Sequence, residues 1–486
     1  MREALRFLLG SELREIREVD PTLTVLDWLR LEERRIGTKE GCAEGDCGAC
    51  TVVVGRLQGG QVVYEAINAC IRFLATLDGC QLLTVEHLKR CDGTLHPVQQ
   101  ALVDRHGSQC GFCTPGFVMS LYALWLNEQR PGLGRINDVL AGNLCRCTGY
   151  APIIAAARLM YDLPARAEDR PEDATARLKE LQDEETLATG RDGRRFYAPA
   201  TLPALTALLE AEPDATLVSG ATDVGLWVTK FQRVLPSTIY LGRIAALRRI
   251  AETADSIEIG AAATYTEAEA ALARLHPDFG ELLRRLGALQ VRNAGTIGGN
   301  IANGSPIGDT PPVLIALGAT LVLHRHGQQR HLPIEDFFLA YGKQDRHPDE
   351  LVELVSIPKP KANARFRAYK ITKRFDQDIS SVCGAFLIER TDGVVTQARL
   401  AYGGMAGTPK RATAAEQALL GRPWTRTSVE AAMAALAQDF TPLTDWRASS
   451  AYRAQVAANL LLKFHIETTE PAAETRLVGA RSLAHG

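Results

Sequence analysis

The sequence lacks an apolar stretch long enough to cross a membrane. The most extended apolar stretch of interest runs from Gly116 to Leu126, whereas a membrane-spanning helix needs about 20 apolar residues. Residues Met1 to Gly10 also lack the charged start, apolar middle and small-residue cleavage site of a secretory signal. We therefore expect a cytoplasmic protein.

A charge excess of either sign is also absent. The 486 residues include 55 Lys and Arg against 57 Asp and Glu, which gives a formal net charge of −2. Such a chain is not expected to use nucleic acid or an anionic membrane as its main partner. Hydrophobic residues make up 46% and charged residues 23%, close to the globular average, which argues against disorder over the whole chain.

Cysteine is nearly absent from the last two-thirds of the chain, where only Cys383 occurs. The other ten of the 11 cysteines lie between Cys42 and Cys147. A disulfide scaffold does not suit a large cytosolic chain. In that setting a dense group of cysteines indicates metal or redox chemistry.

The first group has the spacing C-x4-C-x2-C, and a fourth cysteine follows after 19 intervening residues: Cys42, Cys47, Cys50 and Cys70. This is the plant-type ferredoxin spacing for a 2Fe–2S cluster. Three glycines, Gly41, Gly45 and Gly48, give the loop the freedom to turn sharply around a cluster. Zinc also takes four thiolates, but structural zinc sites usually present two short pairs. The spacing therefore favours iron and sulfur over zinc.

The second group consists of a C-x2-C pair and a C-x-C pair separated by 31 residues: Cys110, Cys113, Cys145 and Cys147. A C-x2-C pair alone is weak evidence, and zinc is a fair competitor. Each pair precedes a predicted helix, whose positive N-terminal end favours a negatively charged cluster. A second cluster next to the first would provide a path for electrons. The three remaining cysteines are expected to be buried structural thiols: Cys80, Cys91 and Cys383.

The pattern of apolar residues divides the chain into segments. Residues 1–84 predict a small α+β unit with a hairpin and a helix that starts at Asp20-Pro21, and residues 85–161 predict four short helices. Residues 162–195 include 17 charged residues among 34 and are expected to be a linker, with an exposed helix as the alternative. Strands and helices alternate over residues 196–365, and strands followed by Ala-rich helices occupy residues 366–486.

Two glycine-containing runs could approach a phosphate with their backbone N–H groups. The first is Leu217 to Gly225, and the second is Thr296 to Asn300, which continues to Asp309. The first run is not a G-x-G-x-x-G, so a Rossmann dinucleotide site is not indicated. From the residues alone, an ordinary turn is the better explanation of either run.

Three long motifs carry a resemblance to a known family. They run from Gly41 to Cys50 (GCAEGDCGAC), from Gly107 to Gly116 (GSQCGFCTPG) and from Ala141 to Tyr150 (AGNLCRCTGY). All three resemble the cluster loops of the molybdenum hydroxylases, a family that includes xanthine dehydrogenase, aldehyde oxidase and carbon monoxide dehydrogenase. The order of two iron–sulfur domains and a flavin domain is similar to that of the small subunit of bacterial xanthine dehydrogenases. The resemblance extends over nearly the whole chain.

The resemblance implies a multidomain α+β fold. Residues 1–84 would form a β-grasp, ferredoxin-like 2Fe–2S domain, and residues 85–161 a four-helix 2Fe–2S domain. After the charged linker of residues 162–195, residues 196–365 would form an α+β FAD-binding domain of the vanillyl-alcohol-oxidase-like type. Residues 366–486 would form a small α/β C-terminal flavoprotein domain.

The resemblance also implies which residues contact FAD. Both glycine-containing runs match the family's FAD pyrophosphate loops, Asp309 would contact the sugar-like chain, and Leu354 and Lys370 would lie close to the ring. Leu286 stands where many relatives have an aromatic residue, which would remove ring stacking. The FAD-binding candidates are Leu217, Val218, Ser219, Gly220, Ala221, Thr222, Asp223, Val224, Gly225, Thr296, Ile297, Gly298, Gly299, Asn300, Asp309, Leu354 and Lys370.

By the same resemblance, the chain would be the electron-transfer subunit of a xanthine dehydrogenase, which oxidises hypoxanthine and xanthine to urate. No part of the chain is long enough for the molybdenum domain, so we expect the molybdenum cofactor on a large partner subunit, in an assembly with two copies of each. Electrons would pass through the second and then the first cysteine group to FAD, and then to NAD. No residue of this chain would be an acid–base catalyst. Charges from Arg374 to Asp378 would influence the choice of NAD or oxygen as acceptor, unless they form an ordinary solvated turn.

Three alternatives remain open on the sequence alone. The first is the equivalent subunit of another molybdenum hydroxylase that acts on aldehydes, carbon monoxide or N-heterocycles. The second is a stand-alone NADH:acceptor reductase, which would have no large partner. The third is a zinc scaffold that binds a partner, which would be colourless.

Overall fold

The computed structural model describes residues 1–171, 173–470, 473 and 475–476. The chain folds into two compact units. The first contains Met1–Ala245 and Gly287–Gly295, and the second contains Ala246–Leu286 and the described residues from Thr296 onward. Among the residues described, none of the helices combines the length and the apolar character of a membrane span.

A five-stranded sheet forms the N-terminal part of the first unit. Its elements are β1 (Leu5–Leu9), β2 (Glu12–Ile16), the short helix α1 (Val25–Asp27), β3 (Thr51–Gln58), β4 (Gln61–Asn68) and β5 (Gln81–Leu83). The strand order is β2-β1-β5-β3-β4. Strand β1 pairs parallel with β5 and antiparallel with β2, so the hairpin expected near the N-terminus is present.

The first helix begins later than the sequence predicted. The Asp20 carboxylate accepts from the backbone N–H of Thr22 at 2.9 Å, which makes a turn and not a helix cap. The hydroxyl of Thr24 accepts from the backbone N–H of Asp27 at 3.0 Å, and α1 starts directly after it. The prediction of a helix start at Asp20-Pro21 was therefore wrong, because Thr24 is the residue that satisfies the free N–H groups.

Four helices follow the sheet, as predicted: α2 (Pro97–Asp104), α3 (Thr114–Asn127), α4 (Leu133–Leu140) and α5 (Ala151–Leu159). Every residue of α3 from Gly116 to Trp125 is buried. A helix that is apolar on all sides belongs inside a core. Phe117 of this helix shares one core with Val53 of β3 and Ala66 of β4, so the helical part is built directly onto the sheet that bears the first cysteine group.

Regular elements occur in the charged segment of residues 162–195. They are α6 (Thr175–Leu181), β6 (Leu187–Arg191) and the start of β7 (Arg194–Ala198). Leu178 and Leu181 pack with Leu8 of β1. The carboxylate of Asp169 accepts two hydrogen bonds from Arg90, at 2.7 and 2.6 Å. Much of the charge is thus paired with residues that are distant in sequence.

A second sheet completes the first unit. Its further elements are α7 (Leu202–Ala211), β8 (Thr216–Val218), α8 (Val224–Thr229) and β9 (Ser237–Tyr240), with the strand order β6-β7-β9-β8. Strand β9 pairs parallel with both β7 and β8. The loop after β8 therefore leaves the carboxyl end of a parallel strand.

The second unit begins with an antiparallel sheet and its helices: β10 (Ile250–Glu252), β11 (Ser256–Gly260), α9 (Tyr265–Leu275) and α10 (Pro277–Arg284). The next helix, α11 (Leu289–Arg292), lies in the segment that belongs to the first unit. The second unit continues with α12 (Ile297–Asn303), α13 (Thr310–Leu317), β12 (Thr320–Arg325), β13 (Gln328–Pro333), α14 (Ile334–Phe337), β14 (Phe338–Ala340), β15 (Lys343–Gln344) and β16 (Leu351–Pro358). The sheet order is β10-β11-β16-β12-β13.

The rest of the second unit, as far as the structure describes it, contains four strands and three helices: β17 (Ala364–Ile371), β18 (Val382–Thr391), β19 (Val394–Gly403), β20 (Lys410–Arg411), α15 (Thr413–Leu419), α16 (Arg426–Asp439) and α17 (Ser450–Thr469). The strands are antiparallel in the order β17-β18-β19-β20. One face of this sheet packs against α15, α16 and α17 around Phe386, Tyr402 and Phe464. Strands followed by Ala-rich helices were the pattern expected from the sequence.

Candidate functional site

The four cysteines of the first group lie together at one end of the N-terminal sheet. Cys42, Cys47 and Cys50 occupy the loop before β3, and Cys70 follows β4. The Cys42 thiol contacts those of Cys47 and Cys70, and the Cys50 thiol contacts that of Cys70. Within the described ranges, no three His, Cys, Asp or Glu side chains are arranged to hold a single metal ion. Four thiols gathered at one place fit a 2Fe–2S cluster, because its two irons take four thiolate ligands between them.

Several N–H groups point at these sulfurs. The backbone N–H groups of Cys47 and Glu44 donate to the Cys42 sulfur at 3.4 and 3.5 Å. The amide Nδ2 of Asn68 lies 3.9 Å from the Cys50 sulfur and donates to it. Hydrogen bonds to cluster sulfurs stabilise the thiolates and raise or lower the potential of a cluster. The loop thus places thiols and hydrogen-bond donors side by side, as a cluster would require.

The second cysteine group is brought together by two helix starts. Cys113 directly precedes α3, and Cys147 lies four residues before α5. The thiol of Cys113 contacts that of Cys145, and the thiol of Cys147 contacts that of Cys110. Cys110 and Cys147 are exposed. Each contacting pair therefore combines one cysteine from the C-x2-C motif with one from the C-x-C motif.

Contact between these thiols moves their pKa values apart. Hydrogen bonding with Cys47 lowers the pKa of Cys42, whereas contact with Cys42 raises the pKa of Cys70. Burial, followed by contact with Cys145, raises the pKa of Cys113 to about 12. Four thiolates at such spacing need a cation to compensate their charge, and a coordinated metal removes the thiol proton outright. The two groups therefore fit iron–sulfur clusters in chemistry as well as in spacing.

The three cysteines outside the groups differ in exposure. Cys383 is buried, as expected. Cys80 is half-buried, and its thiol hydrogen-bonds to the Asp78 carbonyl at 3.8 Å. Cys91 is exposed, so the expectation of a buried thiol was wrong at this position. It lies in the connection between β5 and α2.

The first candidate FAD loop connects β8 to α8 in the first unit. Gly220 lies against the backbone that follows α11, since an added Cβ would be 1.9 Å from the carbonyl oxygen of Ala294. Ala221 has a positive φ of 59°. The hydroxyl of Ser219 is buried and has no hydrogen-bond partner among the described residues. A tight turn with a free buried hydroxyl fits a phosphate ligand, and hence the FAD pyrophosphate.

The second candidate FAD loop, in the second unit, enters α12. The hydroxyl of Thr296 accepts from the backbone N–H of Gly299 at 3.1 Å and caps the helix. The side-chain oxygen of Asn300 accepts from the Thr310 hydroxyl at 2.6 Å. Two polar side chains of this loop are therefore already engaged within the second unit.

Asp309 and Lys370 form a buried ion pair, which the sequence did not predict. Their side chains are 7% and 2% exposed. The Ser380 hydroxyl donates to the other carboxylate oxygen of Asp309 at 2.5 Å. Leu354 is half-buried on β16 and lies opposite Gly260 of β11. Two FAD candidates that are 61 residues apart are thus brought together.

The charged segment after Lys370 contains an internal ion pair and also bonds to neighbouring residues. Arg374, whose side chain is 58% exposed, donates to Asp378 at 3.4 Å. Arg284 lies 3.4 Å from Asp376. Arg285 also donates to the backbone carbonyl of Phe375 at 3.0 Å, and the Asp378 side chain is only 19% exposed. The segment is therefore held partly by other residues of the second unit, and its influence on the electron acceptor stays a prediction.

Three polar residues next to the cysteine groups were missed in the sequence: Asn68, Asn143 and Gln290. Each is at most 3% exposed. Asn68 and Asn143 each lie two residues before a candidate cysteine ligand, and this spacing could have identified them in the sequence as neighbours of the cysteine groups. Gln290 lies in an otherwise apolar run, Ala288 to Val291, and only its buried position reveals it.

Four domain families match consecutive parts of the chain. They are described as a 2Fe-2S iron-sulfur cluster binding domain (residues 9–72), a [2Fe-2S] binding domain (84–158), an FAD binding domain in molybdopterin dehydrogenase (191–360) and a CO dehydrogenase flavoprotein C-terminal domain (367–468). This chain belongs to the molybdenum hydroxylase family. The multidomain α+β fold expected from the resemblance is confirmed, and the domains support 2Fe–2S and FAD as cofactors of this family member.

Individual members of the family are similar over much of this chain. Xanthine dehydrogenase of Emericella nidulans is 33% identical over 90% of this chain and 36% of its own length. Aldehyde oxidase 1 of Bos taurus is 30% identical over 99% of this chain and 40% of its own length. The chain thus spans less than half the length of these relatives. A solved carbon monoxide dehydrogenase chain from Hydrogenophaga pseudoflava is 29% identical, with a TM-score of 0.52, and covers 55% of this chain and 94% of its own.

Proposed function

We propose that this chain carries electrons for a molybdenum hydroxylase, with one 2Fe–2S cluster in each cysteine group. The observation that carries the proposal is the contact of all eight thiols within their own groups. When bound, the clusters would transfer electrons singly, and FAD would accept them one at a time and pass them on in pairs. The proposed ligands are Cys42, Cys47, Cys50, Cys70, Cys110, Cys113, Cys145 and Cys147.

The two groups differ in exposure, which suggests the direction of transfer. Cys50 and Cys70 of the first group are buried, whereas Cys110 and Cys147 of the second are exposed. An exposed group can approach the redox centre of another protein, and a buried group is protected from solvent. We therefore assign the second group to electron entry and the first group to transfer toward FAD.

For FAD we propose the residues named from the family resemblance, each described within its own unit. In the first unit these are the residues from Leu217 to Gly225, where the Ser219 hydroxyl is free to bind a phosphate oxygen. In the second unit they are Thr296 to Asn300, Asp309, Leu354 and Lys370. Lys370 is the one cation among these candidates, and the Asp309 carboxylate with which it pairs compensates its charge.

Xanthine dehydrogenase is the activity that we propose for the assembled enzyme. Hypoxanthine and xanthine would be oxidised to urate on a large molybdenum subunit, in a cytoplasmic assembly of two copies of each subunit, with NAD as the electron acceptor. The xanthine dehydrogenases of Emericella nidulans and Drosophila subobscura, 33% and 32% identical, support this choice. The Bos taurus aldehyde oxidase 1, 30% identical, supports the second candidate, a hydroxylase that acts on aldehydes.

The division into subunits also has support among the solved structures. The Hydrogenophaga pseudoflava chain is matched over 94% of its length by 55% of this chain. In that carbon monoxide dehydrogenase, the segment that matches 55% of this chain is therefore nearly a whole polypeptide by itself. A family that uses separate chains in this way can place the molybdenum domain on a partner.

The test is anaerobic absorption spectroscopy on the chain purified with whatever remains bound to it. We expect xanthine to bleach both the flavin and the iron–sulfur absorbance, and NAD to restore them. Bleaching by an aldehyde but not by xanthine would favour the aldehyde candidate, and bleaching by NADH alone would point to a stand-alone reductase. A colourless protein that contains zinc would contradict the whole proposal.

A matched pair of variants tests the second cluster. Cys110→Ser removes a proposed ligand, whereas Cys91→Ser replaces an exposed cysteine outside both groups. Because each 2Fe–2S cluster needs four ligands, we expect Cys110→Ser to lose about half of the iron. Cys91→Ser should retain all of it. Equal iron in both variants would show that Cys110 is not a ligand.

A further inference from the structure

The two cysteine loops of the first unit touch through their backbones. The N–H of Leu144, the residue before Cys145, donates to the carbonyl oxygen of Cys47 at 3.0 Å. Gly48 and Gly142 meet at the same place, since a Cβ added to Gly48 would lie 2.1 Å from the Gly142 carbonyl oxygen. One hydrogen bond therefore connects a proposed ligand of the first cluster to the neighbour of a proposed ligand of the second.

Buried polar side chains surround this contact. The amide Nδ2 of Asn143 donates to the carbonyl of Gly48 at 3.1 Å and to the hydroxyl of Thr51 at 3.3 Å. Its Oδ1 accepts from the Ser120 hydroxyl at 2.7 Å. The side chains of Asn143, Thr51 and Ser120 belong to residues that are at most 2% exposed. Because these groups have little access to water, each depends on its protein partners for hydrogen bonds.

Gln290 reaches the same groups from α11, which lies within the matched FAD-binding domain. Its Nε2 is 3.0 Å from Asn143 Oδ1, 3.1 Å from Ser120 Oγ and 3.4 Å from Thr51 Oγ1. Gln290 is 1% exposed, and its Oε1 has no hydrogen-bond partner among the described residues. Burial of an unpartnered acceptor costs free energy. The role of the Gln290 side chain therefore lies in the groups to which its Nε2 donates, because its Oε1 gains no hydrogen bond.

We propose that Gln290 is a positioning residue for electron transfer between the two cysteine loops. The proposal rests on the proposed function, in which both loops hold 2Fe–2S clusters. By donating to Asn143 and Thr51, Gln290 fixes the groups that hold Gly48 and hence the hydrogen bond from Leu144 to Cys47. Electrons tunnel more readily through bonds and hydrogen bonds than across an equal gap. A functional site of this kind depends on supporting residues that hold its geometry to within about 0.5 Å.

The experiment compares Gln290→Leu with Asn293→Leu in the full chain with its cofactors. Leucine fills nearly the same space as glutamine but has no side-chain N–H group. Asn293 follows α11 directly, is 7% exposed and donates to the Ala66 carbonyl of β4 at 2.8 Å. The control therefore loses a buried amide from the same segment, one whose Nδ2 donates to strand β4.

Electron paramagnetic resonance of the reduced protein is the readout. Each cluster gives its own signal, the magnetic interaction between them reports their geometry, and rapid freezing after reduction reports the transfer rate. We expect Gln290→Leu to keep both signals, change the interaction and slow the transfer, whereas Asn293→Leu changes neither property. If Gln290→Leu shows both signals and neither the magnetic interaction nor the transfer rate changes, the proposal is wrong.

A second variant covers the case in which Gln290→Leu does not fold. Ser120→Ala removes the hydroxyl that contacts both Asn143 and Gln290 and leaves the glutamine in place. We expect Ser120→Ala to change the magnetic interaction and slow the transfer in the same direction as Gln290→Leu, but by less. An unchanged interaction and rate would again contradict the proposal. If the unaltered chain gives no 2Fe–2S signal at all, the proposed function fails instead, so the two failures are distinguishable.

Discussion

At the scale of single residues, the ion pair of Lys370 and Asp309 predicts a large effect on stability. The two side chains are 2% and 7% exposed, so water cannot replace a missing partner. Lys370→Met leaves the carboxylate buried without its cation, and we expect a loss of about 3–5 kcal/mol in the free energy of unfolding. Urea unfolding of the full chain measures this loss.

An exposed ion pair serves as the control. Arg426 and Glu430 on α16 are 2.9 Å apart, with side chains 70% and 52% exposed. Such pairs contribute about 0–1 kcal/mol, so Arg426→Met should change the unfolding free energy little. If Lys370→Met cost no more than Arg426→Met, the buried pair would not stabilise the second unit.

His96 predicts a pH dependence of stability. Its Nδ1 caps α2 by accepting from the backbone N–H of Val98 at 3.1 Å, which requires an unprotonated nitrogen. Burial lowers the pKa of His96 from 6.5 to about 4. Below pH 6.5 the unfolded chain binds a proton at His96, whereas the folded chain binds it only near pH 4. The free energy of unfolding therefore falls as the pH falls from 6.5 to 4, by roughly 3 kcal/mol in total.

Comparison of His96→Asn with His106→Asn tests this prediction. Asparagine can still cap a helix but does not titrate in this range. We expect the melting temperature of His96→Asn to depend less on pH between 6.5 and 4 than that of the unaltered chain, the bounds being those of the His96 shift. His106 is exposed, and its replacement should leave the pH profile unchanged. Parallel profiles for both variants would refute the assignment to His96.

At the scale of elements, the sequence predicted helices better than their ends. The four helices α2 to α5 were expected from the helical period of their apolar residues, which is a local property. The start of α1 was wrong because Asp20 and Thr24 are both good caps, and only the fold decides which oxygen reaches a free N–H group. Spacing along the chain contains no such information.

The charged segment of residues 162–195 shows a second limit. Its composition suggests a solvated linker, because charge usually remains in water. Asp169 instead pairs with Arg90, which is 79 residues away, and Leu178 packs with Leu8. Pairing over such distances in sequence is not visible in the local pattern.

We therefore predict that one carboxylate anchors this segment. The side chains of Asp169 and Arg90 are 0% and 9% exposed. Asp169→Ala should increase hydrogen exchange of residues 163–171, because a broken buried pair costs about 3–5 kcal/mol. Asp162, whose pair with Arg130 has side chains 53% and 67% exposed, gives the control Asp162→Ala. Similar exchange in both variants would show that the segment is held by other contacts.

At the scale of the whole molecule, the cysteine groups were predictable and their surroundings were not. A cluster loop is a local structure, so its ligands stand at fixed spacing. Gln290 and Thr51 are 239 residues apart, and no spacing rule connects an α11 side chain with a cysteine loop. The sequence therefore predicts which cysteines form each group, whereas the fold determines how the two cysteine groups are placed relative to each other.

Gly48 provides the last prediction, because it lies where the two cysteine loops meet. It has a φ of 71°, and an added Cβ would be 2.1 Å from the carbonyl oxygen of Gly142. Gly111 has a φ of 82°, but an added Cβ would meet nothing within 4 Å. Alanine at either position strains the backbone by about 1–2 kcal/mol, and only at Gly48 does it also push the loops apart.

We accordingly expect Gly48→Ala to disturb both clusters and Gly111→Ala to leave both in place. Iron analysis of the purified chain should give close to four irons for Gly111→Ala, because two 2Fe–2S clusters contain about four, and clearly fewer for Gly48→Ala. Electron paramagnetic resonance then shows which signals are lost. A loss restricted to the first cluster would mean that the two cysteine loops form independently, whereas loss or distortion of both signals would mean that the contact at Gly48 supports both sites.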